Sequence, residues 1–126
     1  MPIDTNIDSN TGFRTHTVTG KFSLDAVRLT LEETYAHSDF RPEAGAVWDL
    51  TGATIDFPTE EVRHLADFVG KLAGDNAPGK VALLVSSDLD EGVVQMYETI
   101  LSGQSSKPIT VFRDMEEATR WLFKND

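Results

Sequence analysis

The clearest strand in this chain is the run Val81-Ala82-Leu83-Leu84-Val85, which has no polar side chain at any position. A run of this kind is typical of a strand that is buried on both faces, because a half-exposed strand alternates apolar and polar residues. A second short apolar run, Ala46-Val47-Trp48-Asp49-Leu50, lies between Gly45 and Gly52. It predicts another buried strand.

Amphipathic segments surround these two strands. Apolar residues recur at steps of three and four, which predicts helices over 24–35, 62–73, 89–100 and 115–123, and a last short strand over 108–112. Strand and helix therefore alternate three times with short connections. This order predicts right-handed crossovers and a largely parallel sheet.

The N-terminal segment predicts a β-hairpin. Ile3, Thr5 and Ile7 alternate with polar residues, and the turn cluster 9–12 leads into a second extended segment, 13–19. The hairpin would extend the sheet antiparallel at one edge. The predicted fold class is α/β: a mixed, largely parallel sheet with an N-terminal antiparallel hairpin and about four helices, in a single domain over 1–126.

Composition excludes several classes of function. The 126 residues include 21 Asp and Glu against 11 Lys and Arg, for a formal net charge of -10, which repels nucleic acid and anionic membranes. With no cysteine, the chain has no disulfide, thiolate nucleophile or cysteine-ligated metal. No apolar run reaches the roughly 20 residues of a membrane span and no signal peptide is evident, so a cytoplasmic protein is expected.

Many of the acidic residues stand at predicted helix starts. They are Asp25, Glu60, Glu61, Asp88, Asp90, Glu91, Asp114, Glu116 and Glu117. Carboxylates there cap free amides and compensate the helix dipole. Without these nine, 12 acidic residues stand against 11 basic ones, so helix starts account for most of the acidic excess and no dedicated acidic binding face is expected.

Polar side chains follow the predicted parallel strands, at the end where open sheets collect ligands. The candidates are Asp49 and Thr51, then Ser86 and Ser87, and then Arg113. If the strands are neighbours, these groups face one crevice. An arginine beside carboxylates keeps them ionised, which suits binding better than acid catalysis. Asp88 and Asp114 follow the same strands, but their spacing from Glu91 and Glu117 favours capping boxes.

A further candidate is the connection from the Trp48 strand to the second helix, which reads Asp56-Phe57-Pro58-Thr59. Thr59 can cap that helix, or it can accept a phosphate that would meet free helix amides. The two glutamates that follow oppose an added negative charge, so the capping interpretation is favoured.

Recognisable catalytic and cofactor motifs are missing from the sequence. It contains no Gly-rich phosphate loop, dinucleotide fingerprint or nucleophile elbow. His16, His37 and His64 lie too far apart in sequence to form a helical metal pair. We therefore expect no metal, no cofactor and no enzymatic activity.

The last helix predicts a surface for a second subunit. Its apolar residues are Met115, Ala118, Trp121, Leu122 and Phe123. This arc is wider than one contact with a sheet requires, which favours a homodimer.

Four segments carry a resemblance to a known family. They are Asp39-Phe40-Arg41-Pro42, Val47-Trp48-Asp49-Leu50-Thr51-Gly52, Lys80-Val81-Ala82-Leu83-Leu84-Val85, and Val111-Phe112-Arg113-Asp114 with Trp121-Leu122. Together they resemble bacterial domains of the STAS/SEC14-like group, which are similar to the anti-sigma-factor antagonists. The resemblance spans nearly the whole chain. It implies a mixed sheet flanked by helices, in a small cytoplasmic domain that binds a protein, a nucleotide or a lipid-like ligand without chemistry.

One feature of the antagonists does not match. Their helix after the second long strand opens with an aspartate followed by serines, one of which is phosphorylated to release the partner. Here Asp56 corresponds to the aspartate, but Phe57 and Pro58 follow it, and only Thr59 carries a hydroxyl nearby. The serine switch is therefore not carried over.

Two hypotheses follow. The first is a non-catalytic, STAS-like regulatory module that binds a protein partner through the segment from Asp56 to Val62 and the second helix. The second is a carrier of a small apolar or lipid-like ligand that uses the crevice at the strand ends. The binding candidates for the two hypotheses are Asp49, Thr51, Asp56, Thr59, Ser86, Ser87 and Arg113.

Overall fold

The computed structural model of the protein describes residues 3–41, 43–55, 57–73, 79–102 and 108–124. Its elements in chain order are β1 (Ile3–Ile7), β2 (Arg14–Lys21), α1 (Leu24–Ala36), β3 (Ala46–Thr54), α2 (Thr59–Ala73), β4 (Val81–Leu84), α3 (Asp88–Ser102), β5 (Ile109–Phe112) and α4 (Met115–Leu122). The strands form one sheet in the order β1-β2-β3-β4-β5. β1 is antiparallel to β2, and β2 to β5 are parallel to one another. The predicted fold class is confirmed.

The apolar composition of β4 follows from its position between two layers. Val81 and Leu83 belong to the large core cluster on the face covered by α1, α2 and α3. Ala82 is fully buried on the opposite face, in a smaller cluster that includes Ala118 of α4. Since neither face of β4 reaches water, no position on it accepts a polar side chain without a partner.

β3 is longer than the sequence predicts. The flanking Gly52 suggested a strand that ends near Leu50, but β3 continues through this glycine to Thr54. It does so because β2 runs beside it, with Thr19 opposite Gly52 and a register shift just before that pair. Such an irregularity lets a glycine stand inside a strand instead of ending it.

The predicted N-terminal hairpin is also confirmed, and Asp8 organises its turn. One carboxylate oxygen of Asp8 accepts hydrogen bonds from the backbone N–H groups of Asn10 at 2.8 Å and Thr11 at 3.0 Å. These bonds lower the pKa of Asp8. Gly12 then adopts a left-handed φ of 79°, which a residue with a Cβ rarely does.

Two helix starts carry side-chain caps, and the one at Asp114 is predicted from the sequence. The hydroxyl of Ser23 accepts from the backbone N–H of Ala26 at 3.0 Å at the start of α1, and the carboxylate of Asp114 accepts from Glu116 at 3.0 Å at the start of α4. The longest described helices, α2 and α3, have 15 residues each. None of the helices in the described ranges is both long and apolar enough to cross a membrane.

β2 buries two polar side chains, Arg14 and His16, on the same face as Val18. Arg14 is 3% exposed, and its guanidinium donates to the backbone carbonyls of Arg41 at 3.1 Å and Ala44 at 3.4 Å. It also lies 4.8 Å from the centre of the Phe40 ring. Arg14 thus ties the segment between α1 and β3 to the sheet.

His16 is buried without an acidic partner. Its ring is 1% exposed, stacks on Trp48 with 4.1 Å between ring centres, and shares a 2.8 Å hydrogen bond between Nδ1 and the hydroxyl of Thr5. Burial, and then the positive charge of Arg14, lower the pKa of His16 from 6.5 to about 4. The folded protein therefore holds this imidazole neutral.

We predict a loss of stability in mild acid that originates at His16. Below pH 6.5 the imidazole of His16 becomes protonated in the unfolded chain, whereas in the folded chain it stays neutral until about pH 4. The free energy of unfolding should therefore be unaffected by this group above pH 6.5 and fall by about 3 kcal/mol as the pH drops toward 4. Urea-unfolding midpoints measured across this range test the prediction.

The variant His16→Phe keeps a ring against Trp48 and removes the titration, so its pH dependence should be flatter than that of the wild type. The control is His64→Asn, which replaces an exposed imidazole on α2. Parallel pH profiles for His16→Phe and the wild type would show that His16 is not the source.

Candidate functional site

All four helices begin at the same edge of the sheet. Each follows the carboxyl end of one of the parallel strands: α1 follows β2, α2 follows β3, α3 follows β4 and α4 follows β5. We call this edge, with the strand ends and the four helix starts, the C-terminal edge. It is the part of an open parallel sheet where ligands usually bind.

The structure brings the candidates from β3 and β4 together at this edge. The Asp49 carboxylate accepts from the backbone N–H of Thr51 at 3.1 Å and from its hydroxyl at 2.6 Å. The Ser86 hydroxyl donates to the Thr51 carbonyl at 3.2 Å. Thr51 and Ser86 are exposed, whereas Asp49 is half-buried. Thr51 therefore connects β3 to the end of the neighbouring strand β4.

Arg113 extends the same cluster to the end of β5. Its guanidinium donates to the Ser86 carbonyl at 3.3 Å, and a second nitrogen lies 3.6 Å from a carboxylate oxygen of Glu91 on α3. The arginine side chain is 42% exposed. Arg113 thus links strand β5, the end of β4 and helix α3. The expectation that Asp49, Thr51, Ser86 and Arg113 face one region is met, although the carboxylate beside Arg113 is Glu91.

The start of α3 differs from the sequence interpretation. The helix begins at Asp88. The backbone N–H of Glu91 donates to the carbonyl of Ser87 at 2.9 Å. Ser87 therefore occupies the N-cap position that was expected for Asp88. The side chain of Asp88 lies outside what the structure describes, so its capping role stays a prediction, and Ser87 is half-buried beside the cluster.

The cap predicted at the start of α2 requires a correction. Thr59 is the first helical residue, and the carbonyl of Pro58 accepts from Glu61 at 3.0 Å and from Val62 at 3.2 Å. Pro58 is therefore at the N-cap, and the cap predicted at Thr59 was wrong. Thr59 is exposed at the C-terminal edge. Asp56 lies outside the residues that the structure describes.

The exposed acids at the helix starts also share this edge. They are Asp25, Glu60, Glu61, Asp114, Glu116 and Glu117. Dipole compensation explains why each acid is at a helix start, but the parallel topology brings those starts to one side of the molecule. The topology places these acids on one side of the molecule, and the expectation that they form no dedicated binding face stays a prediction.

The arrangement is suited to binding more than to catalysis. The Ser86 hydroxyl has a backbone carbonyl as its partner, and a nucleophile needs a base in that place. The described imidazoles lie elsewhere: His16 is buried in β2, His37 ends α1, and His64 is exposed on α2. Among the described residues, no group of three or more potential metal-ligating side chains occurs.

A separate apolar cavity lies between the sheet and the three helices α1 to α3. Its volume is about 120 Å³. Trp48, Leu50 and Leu83 line it from the sheet, and Leu65 and Tyr97 from the helices. Burial raises the pKa of Tyr97. The cavity lies beneath the helices and reaches the C-terminal edge at Phe22, Ile55 and Phe57, but the polar cluster does not line it.

Helix α4 uses only part of its apolar arc against the sheet. Ala118 is fully buried and Trp121 and Leu122 are half-buried, but Met115 is 41% and Phe123 is 62% exposed. The Phe123 ring lies 5.2 Å from that of Phe13. The homodimer expected from this helix stays a prediction.

Comparison with known proteins identifies the fold. No protein-family model and no curated protein sequence matches the chain. Among solved structures, it is similar to an uncharacterized protein of the DUF3478 family with a SpoIIAA-like fold from Shewanella loihica PV-4. The TM-score is 0.54 at 19% identity, over 95% of this chain and 91% of that one. At this identity the likeness shows the fold alone, and the predicted STAS-like, anti-sigma-factor-antagonist fold is confirmed.

The corrected caps can be tested by stability measurements. Thr59→Ala should change the free energy of unfolding by less than about 0.5 kcal/mol, because the exposed side chain does not occupy the N-cap. Asp114→Ala removes an observed cap and should cost about 1 kcal/mol. Urea unfolding at one pH measures both. A loss of about 1 kcal/mol for Thr59→Ala would show that its hydroxyl does cap α2.

Proposed function

We propose that the protein is a non-catalytic regulatory module that binds a protein partner at the C-terminal edge, with the start of α2 as the centre of the contact. The observation that carries this proposal is the exposure of Thr59, Glu60 and Glu61 at the first turn of a helix whose next residue, Val62, is 3% exposed. The SpoIIAA-like fold of the structural relative supports an interaction module of this type.

The start of α2 is held in place before any partner arrives. Val62 is in the buried core, and the half-buried Phe57 ring packs edge-on against Phe22 with 5.1 Å between centres. A surface that is ordered in the free protein loses little conformational freedom on binding. The first turn of α2 is thus presented to solvent from a fixed base.

The rest of the contact surface is the polar cluster beside it. Thr51, Ser86 and Arg113 offer exposed hydroxyl and guanidinium groups, and Asp49 and Ser87 support them from behind. Asp56, in the connection to α2, belongs to the same proposed surface by its sequence position. Because the exposed acids of the helix starts surround this cluster, the complementary partner face carries basic side chains.

Thr59 itself is accessible, but the proposed contact is not regulated by phosphorylation of Thr59. Glu60 and Glu61 are both exposed directly after Thr59. A phosphate at that position would meet free amides of the helix start and two carboxylates at once. The proposed contact therefore depends on the shape and charge of the surface.

Site-specific photo-crosslinking tests this surface. A photoreactive amino acid at position 59 should give one dominant protein adduct in cells of the source organism, and the charge reversal Glu60→Lys with Glu61→Lys should remove it. The matched control places the same group at Thr119, which is also exposed, on α4. Equal adducts at positions 59 and 119, or an adduct that survives the charge reversal, would contradict the proposal.

A second function is favoured by the apolar cavity: binding of a small apolar ligand. The cavity volume of about 120 Å³ approaches that of an engineered protein cavity of about 150 Å³ that stays dry and binds benzene or xenon. The lining is almost wholly apolar, so a ligand there would be held by burial alone. This site extends from under the helices to the ends of β2 and β3, whereas the polar candidates Asp49, Ser86 and Arg113 do not line it.

Benzene tests the second function directly. At about ten times its dissociation constant it should stabilise the protein by about 1.4 kcal/mol, a rise of a few degrees in Tm. Val94→Phe, which fills the cavity, should abolish the rise, whereas Leu122→Phe on the opposite face of the sheet should keep it. An unchanged Tm for the wild type, or an equal rise in both variants, would exclude ligand binding in this cavity.

A further inference from the structure

β1 is an edge strand whose outer side borders a groove. In the described sheet it pairs with β2 alone, so one side of Ile3–Ile7 has no neighbouring strand. Helix α1 forms the other wall of the groove, whose volume is about 620 Å³. This volume is within the range of natural binding pockets, about 300 to 1,000 Å³. Open strand edges of this kind accept an added strand from another chain.

The floor of the groove is partly apolar. The register places Ile3 opposite Val18 and Thr5 opposite His16, so alternate β1 side chains point toward the face on which α1 lies. Ile3 and Ile7 line the groove from the strand, and Ala26 and Leu29 line it from the helix. Leu29 is 54% exposed, which is unusual for a leucine and leaves apolar surface for a partner to cover.

The charges of the groove have one sign. Glu33 and Asp39 line it, and no lysine or arginine is among its described lining residues. Asp4, the second residue of β1, is exposed on the other face of the strand. An added strand would therefore find a carboxylate near it on both faces.

We infer that the groove between β1 and α1 binds an extended segment of a partner protein that carries both apolar residues and lysine or arginine on one face. The segment adds to β1 as a sixth strand, so every second side chain faces α1. Along this face, apolar side chains cover Ile3, Ile7 and Leu29, and cationic side chains meet Glu33 and Asp39. A second copy of this chain fits less well, because each copy carries a net charge of -10 and brings the same carboxylates to the interface. This surface is separate from the C-terminal edge and does not depend on the function proposed there.

A fluorescently labelled seven-residue peptide with blocked ends tests the inference by anisotropy; it carries valine at positions 1 and 3, lysine at positions 5 and 7, and threonine at positions 2, 4 and 6, so that valine and lysine share one face. It should bind with a dissociation constant below about 1 mM, and the same peptide with glutamate for lysine should not bind. The double variant Glu33→Lys with Asp39→Lys should weaken binding by roughly tenfold. The control is the double variant Glu116→Lys with Glu117→Lys, which changes the net charge by the same amount at exposed positions of α4. Its dissociation constant for the peptide should stay within about twofold of the wild-type value.

Hydrogen exchange separates strand addition from simple attraction of charge. Peptide binding should slow exchange of amides in 3–7, and Leu29→Lys should abolish both the protection and the binding. The inference is overturned if the two double variants weaken binding equally, if the β1 amides gain no protection, or if the lysine peptide does not bind. It is also overturned if sedimentation shows a dimer that Leu29→Lys dissociates, since a second copy would then occupy the groove.

Discussion

The parallel pairing of β2, β3, β4 and β5 is the constraint on which the rest of the structure depends. β4 lies inside this group, and both of its faces are covered by helices, so its four residues are all buried. Parallel strands must be joined by crossovers, and here each crossover begins with a helix that follows the carboxyl end of a strand. One hydrogen-bonding pattern therefore decides both where the core lies and where all the helices start.

The C-terminal edge shows how a structural requirement can also give one side of the molecule its charge. Each helix start needs acceptors for free amides, and Ser23 and Asp114 supply them with their side chains. The same requirement favours carboxylates in the first turns, and the topology gathers them on one side. Each acid stabilises its own helix, and together the acids give the edge its negative charge. A structural explanation of these acids is therefore compatible with a functional one.

The sequence predicts well the features that periodicity encodes. The apolar run of β4 and the alternation of strands and helices give the fold class, and the positions of Asp49, Ser86 and Arg113 after successive strands predict their proximity. Cap positions are predicted less well, because the N-cap depends on where the backbone turns into the helix. Pro58 and Ser87 take those positions one residue before the expected Thr59 and Asp88. Local residue preference cannot resolve a shift of one residue.

Burial on β2 could not be predicted for a different reason. This strand carries polar residues on both faces, so alternation does not show which face is covered, and Arg14 and His16 have no apolar signal. Their burial depends on Trp48, Phe40 and the carbonyls of a distant segment, which only the folded chain brings together. The groove beside β1 likewise depends on how α1 packs beside β1, from which it is separated in sequence by β2.

The central claim is that the C-terminal edge, and not another face, is where a regulatory partner binds. Hydrogen exchange of the protein with and without its purified crosslinked partner measures this most directly. We predict slower exchange in 57–63 and 86–91, with the amides of 115–122 unchanged. Protection confined to α4 or to β1, with none at the start of α2, would contradict the account.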